Sequence, residues 1–167
     1  YLWGLAEMLP PEMLEEALNK ARGMAGAERR AQILSALVPH LSPSQFEAAL
    51  DIARGLGDRR LRVVVLRQLA PHLETPELDE ALGLAWKVTD DRLRLHAILP
   101  LMRRAAEAAP ELLKDNWSPA LRLASRATRP AFLQHLQVLA PAFMAMGGEE
   151  AVAAAREAVA DAGRWWP

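Results

Sequence analysis

The residues of this chain whose types and spacing bear on chemistry are four histidines, a column of arginines and two acidic pairs. His40 and His72 stand 32 positions apart, each directly after a proline, while His96 and His135 fall on other helical stretches. A protein metal centre needs three or four donors converging on one ion. Equivalent histidines in successive repeats lie roughly 10 Å apart per packed helix layer, and no second ligand set accompanies them. Neither a metal centre nor a histidine-based catalytic site is expected. Glu15-Glu16 and Asp90-Asp91 lie near helix starts, where a carboxylate favours the helix dipole, and that role accounts for them. Ser/His/Asp triads, HExxH, Walker A and GxGxxG patterns are absent from the sequence. The expectation is no enzyme, no metal and no cofactor.

The arginines carry more information. Arg30, Arg62 and Arg94 share a column, each four residues before an apolar position (Leu34, Leu66 and Ile98). Arg29, Arg59, Arg60 and Arg92 crowd the same edge. A cation near a helix N-terminus is unfavourable by about 0.3–1 kcal/mol, so something must compensate. One account is a ladder of ion pairs to the acidic column Glu15, Glu47 and Asp79, or to Asp58 and Asp90. The other is a basic groove for an acidic peptide or a phosphate-bearing ligand. A second column, Arg22, Arg54 and Arg156, falls at helix C-terminal ends, where cations suit the dipole; Trp86 takes the arginine's place in its repeat. Trp3, Trp86 and Trp117 are candidate contact residues, since Trp is enriched in interaction hot spots, with Trp3 the weakest of the three because it lies near the chain's start. Filling gaps where the repeat is irregular is the alternative. The candidate partner-binding set is therefore Arg30, Arg62, Arg94, Arg59, Arg92, Trp86 and Trp117.

These columns exist because the chain repeats itself. Glu47–Leu73, EAALDIARGLGDRRLRVVVLRQLAPHL, has a variant 32 residues upstream, EEALNKARGMAGAERRAQILSALVPHL, and a looser one downstream from Asp79. Within each unit a first helix aligns Leu14, Phe46 and Leu78, then Ala17, Ala49 and Ala81, then Leu18, Leu50 and Leu82, then Ala21, Ala53 and Ala85. Offsets of 0, 3, 4 and 7 make one apolar stripe on a helix. A second helix aligns Leu34, Leu66 and Ile98, and also Leu37, Leu69 and Leu101. Glycines, Asp58 and Asp90 mark the connections inside a unit as left-handed C-caps and N-caps. Ser42-Pro43 with Gln45, Thr75-Pro76 and Ser118-Pro119 mark helix starts. The expected fold is all-α: an α-solenoid of antiparallel helical hairpins with a repeat of about 32 residues.

The columns run past both ends. Leu2 and Leu5 fall 32 positions before Leu34 and Leu37, so Tyr1–Leu9 reads as the back half of a helix whose front is missing. We therefore expect residues 1–167 to be a single repeat domain cut from a longer array, with open ends that leave end-to-end self-association possible. Beyond Arg103 the register breaks, and the extra residues form an irregular insertion near 105–118. Pro100 is expected to kink its helix. Further helices are expected over Pro119–Ala127 and Pro130–Met144, followed by a break at Gly147-Gly148 and an unpaired helix over Glu149–Ala162, with Trp165-Trp166 folding back.

Composition narrows the function. The chain is 51% hydrophobic and 25% charged, with Lys+Arg 20 against Asp+Glu 21 and no cysteine. A net charge of −1 gives no field for nucleic acid or an anionic membrane, and no apolar run approaches the ~20 residues of a membrane span. Lack of cysteine fits a cytoplasmic protein. The pattern EAL-x-x-AR, then R-x-x-hydrophobic-L-x-x-L-x-P-H-L, resembles the degenerate TPR/HEAT-like two-helix repeats in the C-terminal sensor arrays of bacterial STAND-class signalling NTPases. That resemblance implies a sensor or scaffold segment of a larger signalling or defence protein, binding a protein or peptide partner on its concave face. The rival expectations are an RNA-binding helical array and a helical-repeat enzyme with a site at Asp115, Asn116 and Trp117.

Overall fold

The computed structural model describes residues 10–165, of which the side chains of Pro11, Val159 and residues 161–165 are not considered. The expectations for Leu2, Trp3 and Leu5, and for Trp165-Trp166 as a cover, lie outside the described residues and side chains. The described residues are helical throughout: α1 (Pro11–Gly23), α2 (Ala27–Leu37), α3 (Phe46–Arg54), α4 (Arg59–Leu69), α5 (Thr75–Trp86), α6 (Asp91–Ala108), α7 (Leu113–Ala124), α8 (Arg129–Val138) and α9 (Ala140–Trp165). Short 3₁₀ turns sit at Val38–His40, Pro43–Gln45, Ala70–His72 and Pro110–Leu112. No strand occurs among the described residues. No single helix among them is long and apolar enough to cross a membrane. The chain divides into two compact units between Ala97 and Ile98, within α6.

In the first unit the repeating stripes are the core. Leu14, Phe46 and Leu78 are buried, as are Leu18, Leu50 and Leu82, and Ala21, Ala53 and Ala85. From the second helices Leu34 and Leu66 join them, with Leu37 and Leu69 a turn later. Packing follows the same order: α1 meets α2 and α3, α2 meets α3 and α4, and α5 meets α3 and α4. Alanine at recurring contact positions lets these helices approach closely. The connections are built as local chemistry demands. Asp58 accepts from the N–H groups of Arg60 (2.7 Å) and Leu61 (3.2 Å), and Asp90 from that of Leu93 (2.8 Å), satisfying donors that each new helix leaves open. The Ser42 N–H donates to Gln45 Oε1 at 3.0 Å, which explains how Gln45 tolerates burial. The expected left-handed glycine caps differ. Gly55 stays right-handed (φ −74°), and the positive φ falls on Gly26 (94°), which leads into α2 instead of closing α1.

The second unit departs further from the sequence reading. The insertion both lengthens α6 to Ala108, past Pro100, and adds the turn Pro110–Leu112, which packs on α7 and α9. Ser118-Pro119 does not start a helix: α7 begins at Leu113 and Pro119 lies inside it. The preceding 3₁₀ turn already supplies a helix start with its own proline, and Asp115, whose carbonyl loses a helical donor to Pro119, is an exposed residue. The single helix expected over Pro130–Met144 is two. Its break at Leu139 places Pro141 in the first turn of α9, where a missing N–H costs nothing. Gly148 adopts φ 61° and ψ −154°, a region essentially reserved for glycine, and breaks α9 into two arms. A Cβ at Gly147 would lie 2.7 Å from that of Ala151, so both glycines are required by the bend.

Leu66 is fully buried, whereas Val64, two residues earlier on α4, is 46% exposed. Leu66→Ala should therefore cost about 2–5 kcal/mol and Val64→Ala less than about 0.5 kcal/mol in urea unfolding. Equal costs would mean that the stripe does not define the core.

Candidate functional site

The arginine column resolves into a structural clamp. Arg62 donates from Nη2 to the Leu56 carbonyl at 2.6 Å, and Arg94 from Nε to the Val88 carbonyl at 2.6 Å and from Nη2 to that of Thr89 at 3.3 Å. Leu56 and Val88 occupy equivalent places just past the ends of α3 and α5. Arg30 donates instead to the Gly55 carbonyl, 3.1 Å away, at the end of α3. Each cation thus sits at the carbonyl-rich end of a first helix, whose negative dipole offsets the unfavourable N-terminus of its own helix. The Nε atoms of Arg30 and Arg62 are shielded from solvent without a hydrogen-bond partner, a desolvation cost that offsets part of the gain.

The ion-pair ladder exists, but in the other column. Arg22 pairs with Asp51 at 3.0 Å, Asp51 with Arg54 at 2.7 Å, and Arg54 with Glu80, linking α1, α3 and α5. These side chains are substantially exposed, so each pair contributes little. Arg94 pairs with Asp91 at 3.1 Å, and Arg59 donates to the Thr89 hydroxyl. No ion pair among the described residues joins Glu15, Glu47 or Asp79 to the Arg30 column. The reason is reach: loop carbonyls lie at the head of each second helix, directly beside its arginine.

Once these arginines are committed to the fold, a different basic surface remains. Arg60, Val64 and Arg67 are exposed at i, i+4 and i+7 along α4, one face of a helix. On α6, Arg92 is exposed and His96 half-buried, again at i, i+4. Burial, followed by the positive charges of Arg67 and Arg92, holds the His96 imidazole below its ordinary pKa. Arg60, Arg67 and Arg92 form no ion pair among the described residues. The arrangement is an exposed valine flanked along α4 by Arg60 and Arg67, with Arg67 and Arg92 acting on a histidine that is neutral near pH 7 and charges in acid. Chemically it attracts anions and has no nucleophile or paired acid and base. Of the sequence candidates, Arg92 belongs to this face. Arg30, Arg62, Arg94 and Arg59 are bonded within the fold, and Trp86 is half-buried at the end of α5. Arg67 and Val64 were missed, and His96 was weighed only as a metal or catalytic group, because column alignment draws attention to identical residues and the equivalent positions 64 and 96 hold Val and His. The i, i+4, i+7 spacing of Arg60, Val64 and Arg67 was the available signal.

In the second unit Trp117 packs edge-on against Phe143, with centroids 4.6 Å apart at 87°. Asn116 donates to the Leu112 carbonyl at 2.8 Å, and Asp115 is exposed. An open groove lies along α8 and α9, and none of these three side chains lines it. Among the described residues no three His, Asp or Glu side chains converge as a metal site. No family model, curated protein or solved structure matches the chain.

The clamp has a measurable weight. Arg62→Met should cost about 1.5–3 kcal/mol, the range for a hydrogen bond to a charged group. Arg60→Met on the same helix should stay within about 0.5 kcal/mol, and Arg54→Met should cost at most about 1 kcal/mol after solvent screening. Chemical denaturation of the three variants checks the ranking; Arg54 outranking Arg62 would make the ion-pair ladder the dominant tie.

Proposed function

We propose that this chain is a non-catalytic helical-repeat module that binds an acidic protein or peptide segment, a sensor or scaffold part of a larger protein. The carrying observation is a set of cations without ion pairs among the described residues: Arg60 and Arg67, which flank Val64 on α4, and Arg92, which with Arg67 acts on His96. The proposal includes a solenoid of antiparallel hairpins, whose stacked repeats would present an extended preformed surface. The packing of alternate helices in the first unit, α1 on α3, α2 on α4 and α3 on α5, is what such a stack requires. An exposed apolar residue flanked by two cations suits a peptide with carboxylates on either side of one aliphatic side chain. Recognition then biases a neighbouring domain, the role implied by the resemblance to STAND-class sensor arrays, in a cytoplasmic bacterial setting.

Linkage gives this reading a specific signature. His96 is held neutral in the free protein by burial and by Arg67 and Arg92. A carboxylate seated on the face opposes those charges and raises the imidazole pKa, so binding takes up a proton. The sign for stability follows from the same shift. With its folded pKa lowered, neutral His96 contributes stability above the ordinary value of 6.5, and that contribution fades as pH falls from there towards the folded pKa.

A panel of Glu/Asp-rich peptides with a central Leu or Val, titrated calorimetrically, tests the site. Reversing Arg67 and Arg92 to Glu should weaken binding at least about tenfold, and affinity should rise as pH falls from 7.5 to 6 with proton uptake lost in His96→Gln. Unchanged affinity in the double reversal removes the face from the account. Tighter, salt-dependent binding of single-stranded RNA than of any peptide would favour the nucleic-acid alternative.

A further inference from the structure

The two-armed α9 and α8 form an open groove of about 620 Å³ that none of the above uses. Its walls are apolar, with Leu133, Leu136, Phe143 and Val152 among them, and its polar lining groups are Gln137 and Arg156. Both polar residues are exposed, so they stand at the rim. Among the described side chains Arg156 is the one charged group lining the groove, and among the described residues it forms no ion pair.

The groove is a product of the sequence, since two glycines that the bend demands set the angle between its walls. Gly148 takes a φ/ψ pair that other residues avoid, and Gly147 has no room for a Cβ beside Ala151. The Trp117–Phe143 contact fixes one wall from behind. Ala140–Gly148, APAFMAMGG, has no charge on any side, and Met144 and Met146 are exposed. A surface of this kind leaves apolar area in water unless something covers it.

We infer that this groove binds a long-chain aliphatic carboxylate, its tail along Leu133, Leu136, Phe143 and Val152 and its carboxylate on Arg156. Three features select that class. The volume falls in the range of small-molecule sites, roughly 300–1,000 Å³. A single guanidinium makes one bidentate pair, which matches one carboxylate, whereas a phosphate cradle gathers several donors. A bound peptide would need partners for its main-chain groups, and among the described side chains the lining offers Gln137 and Arg156.

The test uses the full chain and dodecanoate below its micellar concentration, read by calorimetry and by Trp fluorescence, with dodecanol as the uncharged control. Dodecanoate should bind the protein, and Arg156→Gln should weaken it about tenfold, the loss of one charge-assisted pair, while dodecanol affinity stays within about twofold. Val152→Glu, placing a carboxylate in the groove, should abolish binding of both; circular dichroism confirms that it remains folded. Arg156→Gln, at an exposed position, keeps the test decisive if Val152→Glu does not fold. Dodecanoate binding that is indifferent to Arg156→Gln overturns the assignment, as does no binding. Adsorption to neutral phosphatidylcholine vesicles without binding of monomeric dodecanoate overturns it in favour of a membrane surface.

Discussion

Short helices do not hold themselves together in water. Helices such as α3 (Phe46–Arg54) and α4 (Arg59–Leu69) fall below the ~12–15 residues at which isolated helices become even marginal. The structure rests on each of them burying one narrow stripe of Leu and Ala against its neighbours. Leu18, Leu50 and Leu82, backed by Ala21, Ala53 and Ala85, do this in the first helices, and Leu34 and Leu66 in the second. Close approach through alanine then brings the ends of successive helices together. That proximity makes the next constraint unavoidable: the carbonyls left open at each helix end need donors.

The arginine column meets that need. It places a cation at the head of one helix because the tail of another lies beside it, and the Leu56 and Val88 carbonyls accept from Arg62 and Arg94 in the same way one repeat apart. Function is then left to side chains that the packing and the helix-end bonds do not use. On our reading, Arg60, Val64, Arg67, Arg92 and His96 serve recognition because the packing does not consume them. The same division holds around Gly147 and Gly148, where the regular pattern ends and an apolar groove opens.

How much was legible depended on whether a feature recurs. Leu50, Ala53 and Leu66 were readable as core because helical periodicity and a constant spacing both pointed to them. Asp58 and Asp90 were readable as caps because a carboxylate before a helix has one local use. Helix boundaries beyond Arg103 were not, since each proline has two permitted roles. Pro119 was read as a helix start and lies mid-helix, and Pro141, which falls within the single helix expected over Pro130–Met144, lies in the first turn of a separate one. The choice depends on where neighbouring turns fall, which a single-residue rule does not encode. The partners of Arg30, Arg62 and Arg94 escaped because the sequence displays side-chain acids, while the actual acceptors were backbone carbonyls, which every residue carries. The basic face escaped because Arg67 and His96 belong to different repeats at different offsets.

The account stands most directly on whether the 32-residue unit is an interchangeable layer. Inserting a second copy of residues 46–77 directly after Glu77 adds one such layer if the helices stack by equivalent stripes. Circular dichroism and urea unfolding of the lengthened chain should then show added helix in proportion to its length, cooperative unfolding and a midpoint no lower than that of the parent. A chain that loses helix or unfolds without a cooperative transition would contradict it, because a closed bundle has no place for an extra pair of helices.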